Sequence, residues 1–375
     1  VNVLRIGNPT RVNDKMLSFT YERRFEGHPA YTELWGIRKS IREMGNRMRK
    51  SSYSEREAAH SRINHLRERA TELEIQINED LFSGARVIAS TLVSSNHRIL
   101  TGRRFTTLFI DEAAQALEAA CWIAIRKADR VIFAGDHCQL PPTIKCIEAA
   151  RNGLEQTLME KVAANKQETV SLLKVQYRMH QSIMQFSSEW FYQGELQAAP
   201  EVTNRGILDL DLPMNWIDTS EMEFHEEFVG ESFGRINKPE ANLLLQELEA
   251  YIRKIGEKRV LEERIDFGLI SPYKAQVQYL RGKLKGCLFF RPFRSQITIH
   301  TVDGFQGQER DVIFISLVRA TEDGQIGFLN DLRRMNVAIT RARMKLVILG
   351  DAVTMSKHAF YKKLIGYIRH ISQGL

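Results

Sequence analysis

The stretch "LFIDEAAQAL", Leu108 to Leu117, sets two carboxylates side by side directly after an apolar run. An Asp at the carboxyl end of a strand, here Asp111, can hold Mg2+ through water, because Mg2+ prefers hard oxygen ligands and keeps several waters. A neighbouring Glu, here Glu112, can orient an attacking water and take its proton. The pair fits nucleotide hydrolysis. A lone Asp-Glu also suits an ordinary helix start, where acids complement the helix dipole. The next strand ends in the same manner: "VIFAGDHCQLPP" leaves Asp136 and Gln139 at its end. A Gln there can sense a γ-phosphate or the attacking water.

The second half supplies arginines. "VQYRMH" offers Tyr177 and Arg178 just after a strand, and "NVAITRAR" reads as a helix carrying Arg341 and Arg343, with Arg333 and Arg334 about two turns earlier. Positioned arginines stabilise charge on a transferring phosphoryl group. A surface salt bridge is the ordinary alternative for any one of them. In "TVDGFQGQERD", Gly304 and Gly307 flank Gln306, a loop that lets backbone approach a ligand, with Glu309 nearby.

The elements that must position these residues follow from hydrophobic periodicity. Val3 to Ile6 is a strand candidate, followed by the turn "GNPTR". Apolar residues at Leu34, Ile37, Ile41, Met44 and Met48, then at Ile63, Leu66, Ala70, Leu73, Ile77 and Leu81, recur in steps of three and four. With the turn-like "KSSYSE" between them, they predict an antiparallel helical hairpin with arms of roughly twenty residues, ~30 Å long. Short β-rich runs then alternate with helical segments: "ARVIAS", "TTLFID", "DRVIFAGD", a helix near 153–165, "SLLKV", "NWIDTS", a helix over 238–255, "DFGLIS", a helix over 273–285, "ITIHTV", "DVIFISLV", a helix near 331–342, "KLVILGD" and a final helix. Runs such as "VIFIS" are apolar at every position, which marks strands buried on both faces of a parallel sheet. Two such α/β sheets in tandem are the simplest architecture.

Composition narrows the class. With 375 residues the chain is long enough for two or three domains, and at 43% hydrophobic and 26% charged it reads as globular. No apolar stretch approaches the ~20 residues of a membrane span, and no signal peptide opens it. Cys121, Cys138, Cys146 and Cys287 show no CxxC spacing. Cys138, Cys146 and His137 lack a second Cys/His pair, so reduced thiols in a cytoplasmic protein are expected rather than a metal site. The net charge of +7 is unevenly placed: residues 1–110 hold 19 Lys and Arg against 12 Asp and Glu, and the rest holds 34 of each. A basic segment on a neutral body suggests a polyanion partner, with an Arg-rich solvated helix face as the alternative.

Taken in order, "DEAAQALE", "AGDHCQLPPT", "VQYRMH", "SPYKAQ", "TVDGFQGQERD" and "GFLNDLRRMNVAITRAR" resemble the motifs of the superfamily 1B helicases, in the branch of the nonsense-mediated-decay and immunoglobulin-mu-binding helicases. The resemblance runs from about Val3 to the C-terminus. It implies two RecA-like parallel-sheet domains, the first incomplete, over 1–166 and 167–375, with the helical hairpin at about 30–83 inserted in the first. It implies ATP and Mg2+ as cofactors and a monomer moving 5′ to 3′ on single-stranded DNA or RNA, with no membrane. Asp111 would hold Mg2+, Glu112 would be the catalytic base, and Gln139 would couple the γ-phosphate to the nucleic-acid groove. Arg178 and Arg341 would contact the γ-phosphate. Tyr177 would lie near the base or sugar, and Glu309 with Gly307 near the ribose. The nucleic-acid groove would take Arg5, Asn8, Pro9, Thr10 and Arg11 from "LRIGNPTRV", Pro272 and Tyr273 from "SPYKAQ", and Thr301.

One motif departs. The phosphate loop GxxxxGK[ST] does not occur in these 375 residues: the one Gly-Lys, Gly282-Lys283, is followed by Leu284. Its backbone amides, Lys and Mg2+-binding hydroxyl are therefore not here. With Val rather than Met at position 1, the expectation is a chain that begins inside the first RecA-like domain, with an exposed strand edge and poor solubility. A nucleic-acid-binding remnant without catalysis is the rival reading. A metal-dependent nuclease built on Asp111, Glu112 and Asp136 explains none of the arginines. The "NVAITRAR" motif also speaks against a superfamily 2 helicase.

Overall fold

The computed structural model describes residues 1–48, 53–230 and 234–373. The chain divides into two compact units. One comprises residues 1–135 and 143–159, the other residues 136–142 and 160–375.

In the first unit, strand β1 (Val3–Ile6) is followed by helices α1 (Tyr31–Met48) and α2 (Tyr53–Gly84). Leu34 of α1 packs on Ala70, Leu73 and Ile77 of α2, all of them residues on the three-four spacing. The arms are unequal, 18 and 32 residues. The expected break falls partly on 49–52, outside the described residues. Strands β2 (Val87–Ser90), β3 (Phe105–Ile110) and β4 (Ala128–Phe133) follow, with α3 (Glu118–Ile125) between the last two. Among the described residues these strands form two parallel pairs, β1 with β2 and β3 with β4, rather than one sheet. Phe109, in β3, is 68% exposed as a result. The helix expected near 153–165 starts later, as α4 (Leu158–Asn165), in which the division between units falls. Gly153, at φ 95°, interrupts the turn before it.

The second unit opens with β5 (Val175–Gln176), α5 (Gln181–Phe191) and β6 (Gln197–Ala198). The strand expected over "SLLKV" shrinks to β5, which pairs only with β6. Leu173 before it is 86% exposed, so that apolar run has nothing to pack on. Next come β7 (Met214–Asp218), a hairpin of β8 (Glu227–Val229) and β9 (Gly234–Ile236), α6 (Lys238–Ile255), β10 (Phe267–Ser271), α7 (Lys274–Gly286), β11 (Ile297–Thr301), β12 (Arg310–Ser316), α8 (Leu332–Ile339), β13 (Ala342–Gly350) and α9 (Ala359–Gln373).

Five strands form one parallel sheet in the order β11-β10-β12-β13-β7. Its two faces explain the unbroken apolar runs. Ile313 and Ile315 face α5, α8 and α9, while Val312 and Phe314 face α6 and α7. Period-two alternation thus places a buried residue on each side. This is an α/β chain with parallel sheets. Among the described residues no helix is long and apolar enough to cross a membrane.

The helix expected through 342 is corrected. It stops at Ile339, and Arg343 lies in β13, not on a helix. Ala342 pairs with Arg310, and the Arg310 amide donates to the Arg341 carbonyl at 3.0 Å. Sheet pairing overrides the helical pattern of "NVAITRAR".

Candidate functional site

In the first unit, β3 delivers Asp111 and Glu112 to its carboxyl end, both exposed. Glu112 sits in the left-handed region, φ 52° and ψ 39°. Its amide donates to Asp111 Oδ1 at 3.0 Å, and Gln115 Nε2 donates to Glu112 Oε2 at 2.7 Å. A non-Gly residue in that conformation is uncommon and recurs at functional turns. The Asp111 carboxylate offers hard oxygen in water, a donor that suits a Mg2+ keeping most of its hydration.

Arg5 lies in β1, and its amide donates to Phe19 O at 2.8 Å. Asn8 caps the turn Pro9–Arg11: its Oδ1 accepts from Thr10 N at 2.9 Å and from Thr10 Oγ1 at 2.8 Å. Beside it lies an open cavity of about 480 Å3, lined by Gly7, Asn8, Pro9, Ser94, Asn96 and His97 among others. Sequence reasoning missed the last three. The available signal was the polar run "SSNH" just beyond a parallel strand's carboxyl end, where ligands of α/β sheets gather.

In the second unit, residues far apart in sequence converge. Arg341 is 3% exposed. Its Nε donates to Val337 O at 3.0 Å, its Nη1 to Gln308 O at 3.3 Å, and its Nη2 to Gln139 Oε1 at 3.3 Å. Gln139 Nε2 donates to Asp136 Oδ2 at 2.8 Å, which also accepts from Tyr192 Oη at 2.6 Å. Asn336 Nδ2 donates to Tyr192 Oη at 2.8 Å and to Cys138 O at 2.9 Å. Burial and the Asp136 charge raise the Tyr192 phenol, so it stays a donor. Tyr192 and Asn336 were also missed, since nothing local in "WFYQGEL" or "RMNVAI" marks them.

Arg178 Nε meets Glu309 Oε2 at 2.5 Å, and Arg178 Nη1 donates to Thr340 O at 3.1 Å. Arg343 Nη1 lies 3.8 Å from Glu309 Oε1, and its Nη2 pairs with Asp266 at 2.9 Å and Asp311 at 3.0 Å. Tyr177 is exposed beside Arg178, and Gly307 takes φ 73° in the loop before Glu309. At the opposite edge of the sheet, Pro272 and Tyr273 follow β10 and Thr301 closes β11. Tyr273, expected at the nucleic-acid groove, is 4% exposed and has Phe328 packed on it. Arg11 is placed only through its backbone turn.

Asp136, His137 and Cys138 bring one ligand atom each within 4.8 Å of one another. They make a poor metal set. Asp136 already accepts from three donors, and burial, then the Asp136 charge, pushes the Cys138 thiol up to about 11. All four cysteines are free thiols.

Acids and arginines at the strand ends of parallel sheets are a setting in which α/β proteins hold phosphate ligands. Residues 1–146 and residues 154–353 match two family models, each described as an AAA domain. The chain belongs to this AAA-domain family, that of the superfamily 1 helicases. It is 30% identical to an uncharacterized ATP-dependent helicase of Methanocaldococcus jannaschii, over 100% of this chain and 60% of that protein. It is 33% identical to the DNA-binding protein SMUBP-2 of Rattus norvegicus, over 97% of this chain and 37% of that one. It is 36% identical to the regulator of nonsense transcripts 1 homolog of Drosophila melanogaster, over 77% of this chain and 24% of that one. The chain thus spans between about a quarter and three fifths of these relatives.

Proposed function

We propose that this chain forms part of an ATP-dependent helicase, a motor that couples nucleotide hydrolysis to movement along single-stranded DNA or RNA. Residues 1–166 belong to the first RecA-like domain and 167–375 to the second. The carrying observation is the convergence of Gln139 on Arg341 and of Glu309 on Arg178, over 202 and 131 residues of sequence. A polar loop with buried or half-buried guanidinium groups is suited to sensing a phosphoryl group. In this reading Asp111 holds Mg2+, which supplies charge neutralisation at the phosphates, and Glu112 activates water. Gln139 reports the γ-phosphate state. Arg178 and Arg341 bind its oxygens, Glu309 and Gly307 approach the ribose, and Tyr177 lies against the nucleoside. Arg5, Asn8, Pro9, Thr10, Arg11, Pro272 and Thr301 follow the strand. The protein works in the cytoplasm as a monomer.

The missing GxxxxGK[ST] favours a second statement about this polypeptide alone: it binds nucleic acid without turning over ATP. The test is ATP hydrolysis by the 375-residue chain with and without a single strand, beside binding of that strand across salt concentrations. The expected result is no hydrolysis, with affinity falling log-linearly as salt rises. Stimulated hydrolysis that vanishes in Glu112→Gln would overturn the argument from the missing loop. No binding even at low salt would sink the nucleic-acid reading.

A further inference from the structure

Phe328 stands at the carboxyl edge of the parallel sheet in the second unit, in a turn of residues Gly327–Asn330 between β12 and α8. Phe328 is 58% exposed. A lone exposed aromatic is ordinary on a protein surface. This one is mounted on a support.

Tyr273 lies beneath it, ring centroids 5.8 Å apart and tilted by 52°. The Arg334 guanidinium carbon lies 5.6 Å from the Phe328 centroid. The Tyr273 hydroxyl is buried without a hydrogen-bond partner, a position that costs desolvation free energy and returns no bond. What that burial does secure is a second ring under Phe328. Gly327 makes the arrangement possible. At φ 56° a Cβ there would meet Arg319 Nη1 at 2.8 Å and Tyr273 Oη at 3.1 Å, so a larger residue would lift the turn off its base.

We propose that Phe328, backed by Tyr273 and edged by Arg334, is a stacking platform for one base of a bound single strand. The inference rests on the nucleic-acid reading above and specifies where a base is held. Phe328 itself offers a single flat ring. Just beyond it in sequence, Arg333 and Arg334 each pair with Asp331. That suits a flat heterocycle with a phosphate on either side better than a protein partner, which would need a wider apolar patch. Stacking on a held aromatic is tolerant of sequence, and the adjacent guanidinium adds a cation–π contribution. Tyr273 acts as a support and does not touch the strand.

The experiment is fluorescence anisotropy of the 375-residue chain with a labelled 12-nucleotide oligo(U) or oligo(dT), and with the same backbone lacking bases. Phe328→Ala is expected to weaken binding of the base-bearing strand about 5- to 100-fold, the scale of one lost base–aromatic stack. It should leave the abasic strand unaffected. Phe328→Trp should keep the affinity, and its added emission should be quenched on binding. Tyr273→Phe should bind as the wild type, since the lost hydroxyl makes no bond. Each variant is first matched to the wild type in circular dichroism and melting. Wild-type affinity in Phe328→Ala would overturn the platform and leave the helicase reading standing. An equal loss on both strands would assign Phe328 to the fold or the backbone path instead. If the wild type binds neither strand, the nucleic-acid reading itself fails and takes the platform with it. If a peptide competes for wild type but not Phe328→Ala, and nucleic acid does not, the occupant is a protein.

Discussion

Glu240 is a carboxylic acid sunk completely in the second unit, and its neighbours set its charge. Its Oε1 accepts from Ser316 Oγ at 2.5 Å and from the Val318 amide at 2.9 Å, while Oε2 has no partner. Val318 carries φ 71°, a conformation a β-branched residue adopts only when its surroundings enforce it. Burial pushes the Glu240 pKa up from an ordinary 4.5 to about 7, against the lowering effect of those hydrogen bonds. The folded chain therefore keeps a proton that the unfolded chain loses. Stability falls as pH rises from about 4.5 to about 7 and stays at the lower level above that. Glu240→Gln removes the titration. Its unfolding free energy relative to wild type should rise by about 2 to 3 kcal/mol between pH 5 and pH 8. Urea midpoints that run parallel for the two proteins across that range would contradict the assignment. None of this was legible in "NKPEAN", where Glu240 reads as a first-turn acid suited to the helix dipole. The strand-end placement of Asp111 and Glu112 was legible, because polar residues straight after an apolar strand mark its carboxyl end. Long-range partners were not, since a bond such as that from Arg178 to Glu309 leaves no local trace.

Among the elements, the sequence marked those whose pattern and burial agree. Helix α6 occupies the span its spacing predicts, Lys238–Ile255, because Asn237 caps it through Glu240 N and Gly256 ends it. Strands β1 and β10 and the helical hairpin are of the same kind. The failures lie where pairing decides. "NVAITRAR" has helical spacing, yet its last two residues join the sheet beside β12. "SLLKV" has strand composition, yet only its last residue pairs. Strand β10 also shows how tightly the sheet is covered. A Cβ on Gly268 would fall 2.5 Å from Ile313 Cδ1 and 2.8 Å from Phe305 Cζ. Gly268→Ala should therefore destabilise the second unit by about 1–3 kcal/mol, the cost of overpacking a filled core. Chemical denaturation reads this, and a neutral result would show that Phe305 can swing away freely.

At the scale of the molecule, the two units are unequal. The second has a five-stranded sheet covered on both faces. Among the described residues the first has two strand pairs, smaller apolar clusters, and large side chains such as Phe109 and Trp122 in water. The first should unfold at lower temperature, giving two calorimetric transitions with the larger enthalpy in the upper one. Hydrogen exchange should place the early opening in β3 and β4 rather than in β10 and β12. One cooperative transition with uniform protection would refute this. The basic excess of residues 1–110 was plain from composition. The division into units was not, because the residues after β4 are counted with the far half of the chain.

That seven-residue excursion, Asp136 to Pro142, bears on how the protein is made. A ribosome releases the chain from its N-terminus, at about 5–20 residues per second. Gln139 emerges 202 residues before Arg341, and the Cys138 carbonyl 198 before Asn336. For something like 10 to 40 seconds the Gln139 amide oxygen and the Cys138 carbonyl lack these distant partners. Gln139 and the two prolines after it are then open to chaperones and proteases. The excursion settles only after Arg341 and Asn336 have emerged.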